Sequence, residues 1–217
     1  DIGANIGGHC IQFHHHFPDL KIWGFEPYPP NYELLKVNVE NLQNVHSFSL
    51  GVGSGNSMVH FGNEYSKNCG SVMVVNPDGN CFSKPYSNFV VALDTIKFPE
   101  PVKFIKIDIE GHEYSAFEGA RELLLRDKPL VWLEDHGQPL GEGDSIKYLE
   151  GLGYKILDES TIPTNFPLAF FIPLFHASHM PLSFSLIQKS ILLLYFFKIF
   201  NVLFPDAPSA IINSTFL

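Results

Sequence analysis

Cysteine is scarce in this chain of 217 residues. The three present, Cys10, Cys69 and Cys81, are far apart and form no Cys-x-x-Cys. That argues against a disulfide framework or a cysteine zinc site and leaves free thiols. Lys and Arg never cluster, and the formal charge is -9. Nucleic acid is therefore not expected as the main partner, because phosphate binding needs positive charge. No internal repeat and no signal peptide are visible. The chain opens with Asp inside a motif, without an initiator Met, so we expect a fragment whose first strand, and anything before it, is missing. What is present is globular in character: 45% hydrophobic and 17% charged residues, in a length sufficient for one sizeable domain with its own core.

The opening stretch, Asp1-Ile2-Gly3-Ala4-Asn5-Ile6-Gly7-Gly8, reads as a glycine-rich turn between a strand and a helix. Its glycines let the backbone turn tightly and approach a ligand, since no Cβ intervenes. An acidic residue at a strand end suits a ligand that is cationic or rich in hydroxyls. Short glycine patterns recur by chance, but two later stretches add weight. Phe25-Glu26-Pro27 follows about 20 residues on, where a doubly wound nucleotide fold places its ribose-binding carboxylate. Ile105-Lys106-Ile107-Asp108-Ile109-Glu110-Gly111 is a buried-strand pattern that runs into acids and a glycine.

In chain order, residues 8–17 form a short amphipathic helix on Cys10, Ile11, Phe13 and Phe17. Its His14-His15-His16 cannot close on one metal ion, because adjacent helical positions point in different directions. A solvated helix end, with His favouring the dipole, fits better. Residues 20–25 read as a buried strand. Pro29 and Pro30 start a helix with Tyr32, Leu35, Val39 and Leu42 on its apolar face. A third strand is expected over 45–52, a short one over 58–61 and another over 89–93. The stretch 63–88, rich in Asn, Gly, Ser and Pro, reads as a long functional or mobile loop. A strand over 102–107, one helix over 111–126, a strand over 130–133 and a helix over 145–152 follow. Two last strands fall at 154–157 and 168–172. Strands alternating with helices imply a mostly parallel sheet covered on both faces, and the short link between the last two strands implies that the final one is antiparallel.

After Pro173 the character changes. Residues 182–204 are almost entirely apolar, broken by Gln188, Lys189, Lys198 and Asn201. The run is long enough to cross a bilayer, although a Lys near the centre costs roughly 2.5–3.5 kcal/mol. An interfacial or core-docked helix, a membrane span and a tail outside any natural fold all stay open. We expect 182–204 to be helical and to pack poorly against the domain. A cytoplasmic location is favoured, with membrane association through this run as the alternative.

Asp1 to Gly7, Phe25-Glu26-Pro27 with Pro29, and Ile105 to Glu113 together resemble the FkbM family of S-adenosylmethionine-dependent methyltransferases. Asn38, Asn41, Leu93-Asp94 and Gly119-Ala120 support the resemblance, which covers residues 1–172. It implies an α/β fold: a Rossmann-like class I methyltransferase sheet, mostly parallel with an antiparallel last strand, helices on both faces, and the first strand largely missing. Gly51-Val52-Gly53-Ser54 is an unusual segment for the family, and the tail 173–217 has no recognised counterpart.

The resemblance implies S-adenosylmethionine as cofactor and a hydroxyl on a sugar, glycan or secondary metabolite as acceptor. Asp1, Gly3, Asn5 and Gly7 would frame its amino-acid end. Glu26 would accept hydrogen bonds from the ribose hydroxyls, for which a carboxylate has two oxygens, or else serve only as a helix-start acid. Ser54 would border the adenine, and Asp108 would lie nearby. An oxygen acceptor with a high pKa needs a base. Asp108 and Glu110 fit best, with Glu134 and His136 as second candidates; Glu110 or Glu113 could instead cap the next helix. No metal site is assigned, though Asp108, Glu134 and His136 could gather around a divalent ion. Two other functions share these features: a nicotinamide-dependent Rossmann oxidoreductase, whose Gly-x-Gly-x-x-Gly spacing is broken here by Asn5, and a non-catalytic methyltransferase-like binding domain.

Overall fold

The structure, a computed structural model, describes residues 1–62, 73–75, 85–134, 143–157 and 170–171. Contacts divide the chain into one unit of Asp1–Ile156 with Leu168–Ile172 and another of Leu157–Pro167 with Pro173–Leu217. Nearly all described residues belong to the first. The apolar run 182–204 lies outside the described residues; among those described, no helix is long and apolar enough to cross a membrane.

The elements run α1 (Gly8–His16), β1 (Ile22–Phe25), α2 (Pro29–Val39), β2 (Val45–Phe48), β3 (Gly51–Val52) and β4 (Ser57–Gly62). Then come β5 (Met73–Val74), β6 (Tyr86–Val91), a 3-10 turn at Leu93–Thr95, β7 (Phe104–Ile107), α3 (Glu113–Glu118) and α4 (Arg121–Asp127). The last are β8 (Leu130–Leu133), α5 (Ser145–Gly151), β9 (Ile156–Leu157) and β10 (Phe170–Phe171).

Ile2 organises the first sheet. It pairs in parallel with Phe25 on one side and Ile107 on the other, and its amide and carbonyl bond to Lys106 O and Asp108 N. It thereby joins the parallel pair β1–β2 to the sheet of order β7–β8–β10–β9. The inner strands are apolar almost throughout, as expected where both faces are covered: Ile105 and Ile107 of β7 are buried, as are Leu130, Val131 and Leu133 of β8. Phe117, Leu123 and Leu124 from α3 and α4 join Ile105, Ile107, Val131 and Leu133 in one core cluster. In α1, Cys10 and Phe13 are buried and the three histidines form the last turn. Pro29 and Pro30 occupy the first turn of α2, which buries Leu35 and Val39.

Five expectations change. The strand read over 45–52 divides, with β2 staying beside β1 while β3 pairs with β6 in a second sheet, of order β3–β6–β4–β5. Glycine permits that approach, since a Cβ on Gly51 would come within 2.9 Å of Val90 and one on Gly53 within 2.6 Å. The second sheet has antiparallel pairs, β4–β6 and β4–β5, so mostly parallel describes the first sheet alone. Its β5 and the start of β6 fall inside the stretch read as a loop; 63–72 and 76–84 lie outside the described residues. The single helix read over 111–126 breaks at Gly119-Ala120 into α3 and α4. There a Cβ on Gly119 would sit 1.9 Å from Gly53 O, and the Asp94 carboxylate accepts from Glu122 N and Leu123 N, capping α4. Finally, β10 pairs with β8 in parallel, Phe170 opposite Val131, not antiparallel. The chain between β8 and β10 includes α5 and β9, which allows the crossover that parallel strands need.

Candidate functional site

The glycine turn rests on the carboxyl ends of β1 and β7. Gly3 and Ala4 both donate their amides to Phe25 O, at 3.0 and 2.9 Å. Gly3 has φ 76°, and a Cβ there would lie 1.9 Å from Asp108 O; only glycine meets both conditions. Asn5 is also left-handed, at φ 51°, a conformation Asn tolerates better than most residues. From α2, the Asn38 side chain donates to Ile6 O at 2.8 Å. Gly7 precedes α1 with φ 93° and packs against Leu35 and Val39.

Glu26 follows β1 and is 5% exposed. One carboxylate oxygen accepts from Asn5 N at 2.9 Å and the other from Tyr28 N at 2.8 Å. The side chain thus ties the glycine turn to the start of α2. Burial pushes its pKa up, against the opposing pull of those two amides. Each carboxylate oxygen has a second lone-pair direction, so Glu26 keeps acceptor capacity toward the cleft while serving both amides.

Beneath the turn lies an ion cluster. The Asp1 side chain is fully buried and that of Lys106, on β7, is 3% exposed. The ammonium donates to Gly3 O at 3.0 Å and lies 3.3 Å from Asp1 Oδ1 and 3.6 Å from Asp108 Oδ2. The Cys10 thiol donates to Asp1 Oδ2 at 3.2 Å, and burial raises its pKa. Buried charge persists in proteins when it is paired in this way.

After β7 the chain turns sharply, with Glu110 at φ 54° and Gly111 at φ 95°. Glu113, 1% exposed, holds this turn from the first position of α3 by accepting from Ile109 N and Gly111 N. Two residues on, Ser115 Oγ accepts from Ser54 N at 3.1 Å. From β6, Asn88 donates to Pro27 O and to Ser49 Oγ.

These loops enclose a cleft of about 230 Å³, the scale of a small ligand. Of the residues the sequence singled out, Gly3, Asn5, Glu26, Ser54, Asp108 and Glu110 line it, together with Gly53 and His112. Val52, Val59, Phe61, Val74 and Val90 give it an apolar wall on the second sheet. No Lys or Arg is among its described lining residues. Asp1 and Gly7 are not part of the lining: Asp1 lies beneath the turn and Gly7 against α2. Glu134, exposed at the end of β8, donates its amide to Ile107 O and does not line the cleft either. His136 lies outside the described residues.

Sequence reasoning passed over Lys106, Glu113 as the holder of the 109–111 turn, and Asn31, which is buried and lines the cleft. For Lys106 a signal existed, a lone cation inside an apolar parallel strand. Its partner Asp1 is distant in sequence, and no spacing rule connects them.

The chain was compared with known proteins. The family model described as the methyltransferase FkbM domain matches residues 1–156. Among curated proteins, none matches this chain. Among solved structures, methyltransferase FkbM from Methylobacillus flagellatus KT is similar at 23% identity, with a TM-score of 0.42, over 59% of this chain. The match spans 30% of that protein's length. The family assignment rests on the family model.

Proposed function

The chain belongs to the methyltransferase FkbM family, and on that premise we propose that it transfers a methyl group from S-adenosylmethionine to a hydroxyl of a sugar, glycan or secondary metabolite. In this reading residues 1–172 are the methyltransferase domain and 173–217 a tail outside it. The first sheet, with Ile2 between β1 and β7, is then the Rossmann-like sheet of a class I methyltransferase. The acceptor is a small molecule or glycan, not a nucleic acid, in keeping with the formal charge of -9.

The observation that carries the reading is the charge of the cleft. Glu26, Asp108 and Glu110 line it, and no Lys or Arg is found among the described lining residues. An acidic lining of this kind suits a cationic ligand and disfavours a pyrophosphate, which seeks positive charge or a helix N-terminus. The donor set therefore fits S-adenosylmethionine better than a nicotinamide dinucleotide. Open α/β sheets also bind ligands at the carboxyl ends of their strands, where the turn, Glu26 and Asp108 lie.

When bound, S-adenosylmethionine supplies an activated methyl on a sulfonium. The chain's residues bind and orient. The turn at Gly3 and Asn5 frames the amino-acid end, and Asp108 offers it a carboxylate. Glu26 accepts from ribose hydroxyls with the lone pairs its two backbone amides leave. Ser54 borders the adenine. Asp108 or Glu110, both at the cleft, takes the acceptor proton as the oxygen attacks. Glu113 positions these groups by holding the turn that carries Glu110.

Incubation with methyl-labelled S-adenosylmethionine and a panel of sugars, lipid-linked glycans and hydroxylated metabolites tests the reading. Label should enter a hydroxyl acceptor, and Asp108→Asn should reduce turnover more than it weakens cofactor binding. Binding of NAD in place of S-adenosylmethionine would overturn it.

A further inference from the structure

Lys106 lies under the cleft, and its one positive charge faces two acids of different standing. The Asp1 side chain is wholly buried, while the Asp108 side chain is 29% exposed and lines the cleft. The ammonium is 3.3 Å from Asp1 Oδ1, within ion-pairing range although not directed there as a hydrogen bond. Its directed bond goes to Gly3 O, at 3.0 Å. One buried cation therefore touches the turn that frames the cleft, the acid that faces the cleft and the acid beneath it.

Resting on the S-adenosylmethionine reading above, we propose that Lys106 is a positioning residue that sets the charge felt by the cofactor's sulfonium and holds the glycine turn in place. Glu26, Asp108 and Glu110 make the cleft negative. Lys106 offsets part of that charge from below without entering the lining. Charges in a buried cluster act over several ångströms, because little water screens them. Removing the cation should deepen the negative potential of the cleft, and removing Asp1 should make it shallower. Asp1 does not line the cleft, so its effect on a ligand has to travel through charge or through the turn.

S-adenosylmethionine and S-adenosylhomocysteine share ribose, adenine and amino-acid end and differ in the methyl group with its sulfonium charge. The ratio of their affinities reports that charge and cancels any loss of folded protein. We would titrate both ligands calorimetrically, at one fixed pH, into the full chain and its variants. Lys106→Met should raise the preference for S-adenosylmethionine by about threefold or more, and Asp1→Asn should lower it by a similar factor. Lys106→Arg, which keeps the charge, should stay near the wild-type ratio. If Lys106→Met does not fold, Asp1→Asn carries the test with the opposite sign. Ratios unchanged in both variants, with the two ligands weakening together, would overturn the charge-setting role while leaving the cofactor reading intact. A wild-type chain that binds neither ligand would overturn the cofactor reading and this proposal with it.

Discussion

The two sheets meet the cleft in different ways. The first sheet brings charge and fixed backbone: the left-handed Gly3 and Asn5, buried Glu26, and the Asp1–Lys106–Asp108 cluster. The second sheet brings an apolar wall, with Phe61 and Val90 in a small core beside Tyr28, while its Met58 and Phe89, paired across β4 and β6, stay largely exposed. On the first sheet Gly3, Ala4, Glu26 and Asp108 are each held by a named partner, so a small change there disturbs several contacts. On the outer face of the second sheet the side chains stand in solvent, and the same change should disturb little.

The sharpest way to break this contrast is Gly3→Ala. The new Cβ would lie 1.9 Å from Asp108 O, at a φ of 76° that alanine resists. The turn has to move, and we expect a loss of stability of at least about 3 kcal/mol, read from urea unfolding. A near-wild-type midpoint would mean that the turn is not pinned against β7.

A smaller effect is expected from the titration of Glu26. Burial raises its pKa above the ordinary 4.5, so the folded chain holds this proton to higher pH than the unfolded chain does. Between 4.5 and the raised value the folded state binds more protons, and stability falls as pH rises through that window. The penalty is absent below the window and fully present above it. Thermal melts across the window should therefore show wild type losing stability relative to Glu26→Gln as pH rises, by an amount added to any constant offset from the lost acceptor. A difference independent of pH would mean that burial does not raise the Glu26 pKa.

The smallest effect belongs to the second sheet. Met58→Ser, on a side chain 58% exposed, should change stability by no more than about 0.5 kcal/mol. A loss well beyond that in urea unfolding would show that this face is covered and would remove the contrast.

What the sequence revealed follows the same division. The glycine turn, Glu26 at the end of β1 and Asp108 at the end of β7 were legible because glycine and acids at strand ends carry local meaning. The apolar strands β1, β7 and β8 were legible from their runs of Ile, Phe, Leu and Val. The second sheet was legible only in part: the strands expected over 58–61 and 89–93 overlap β4 and β6, but β3 and β5 are two residues each and β6 begins with Tyr86-Ser87-Asn88, a polar start that reads as loop. The break between β2 and β3 depends on how closely Gly51 and Gly53 approach Val90, and the break between α3 and α4 on how closely Gly119 approaches Gly53. Both are tertiary contacts that local pattern cannot register. The role of Glu26 was half visible: a carboxylate beside the turn was expected, but its bonds to Asn5 N and Tyr28 N show that it also joins the turn to α2.

That double role makes Glu26 the place to test the central claim, that the acidic end of the first sheet is a cofactor site. Calorimetric titration of S-adenosylmethionine into wild type and Glu26→Gln is the direct measurement, with folding of each checked by circular dichroism. Hydrogen bonds to a charged group contribute roughly 1.5–3 kcal/mol, so the account predicts binding by wild type and an affinity about 10- to 100-fold lower in the variant. The amide keeps the shape but loses the charge and turns one acceptor into a donor. Affinity in folded Glu26→Gln equal to that of wild type would mean that Glu26 serves only the turn and the start of α2, and would contradict the assignment.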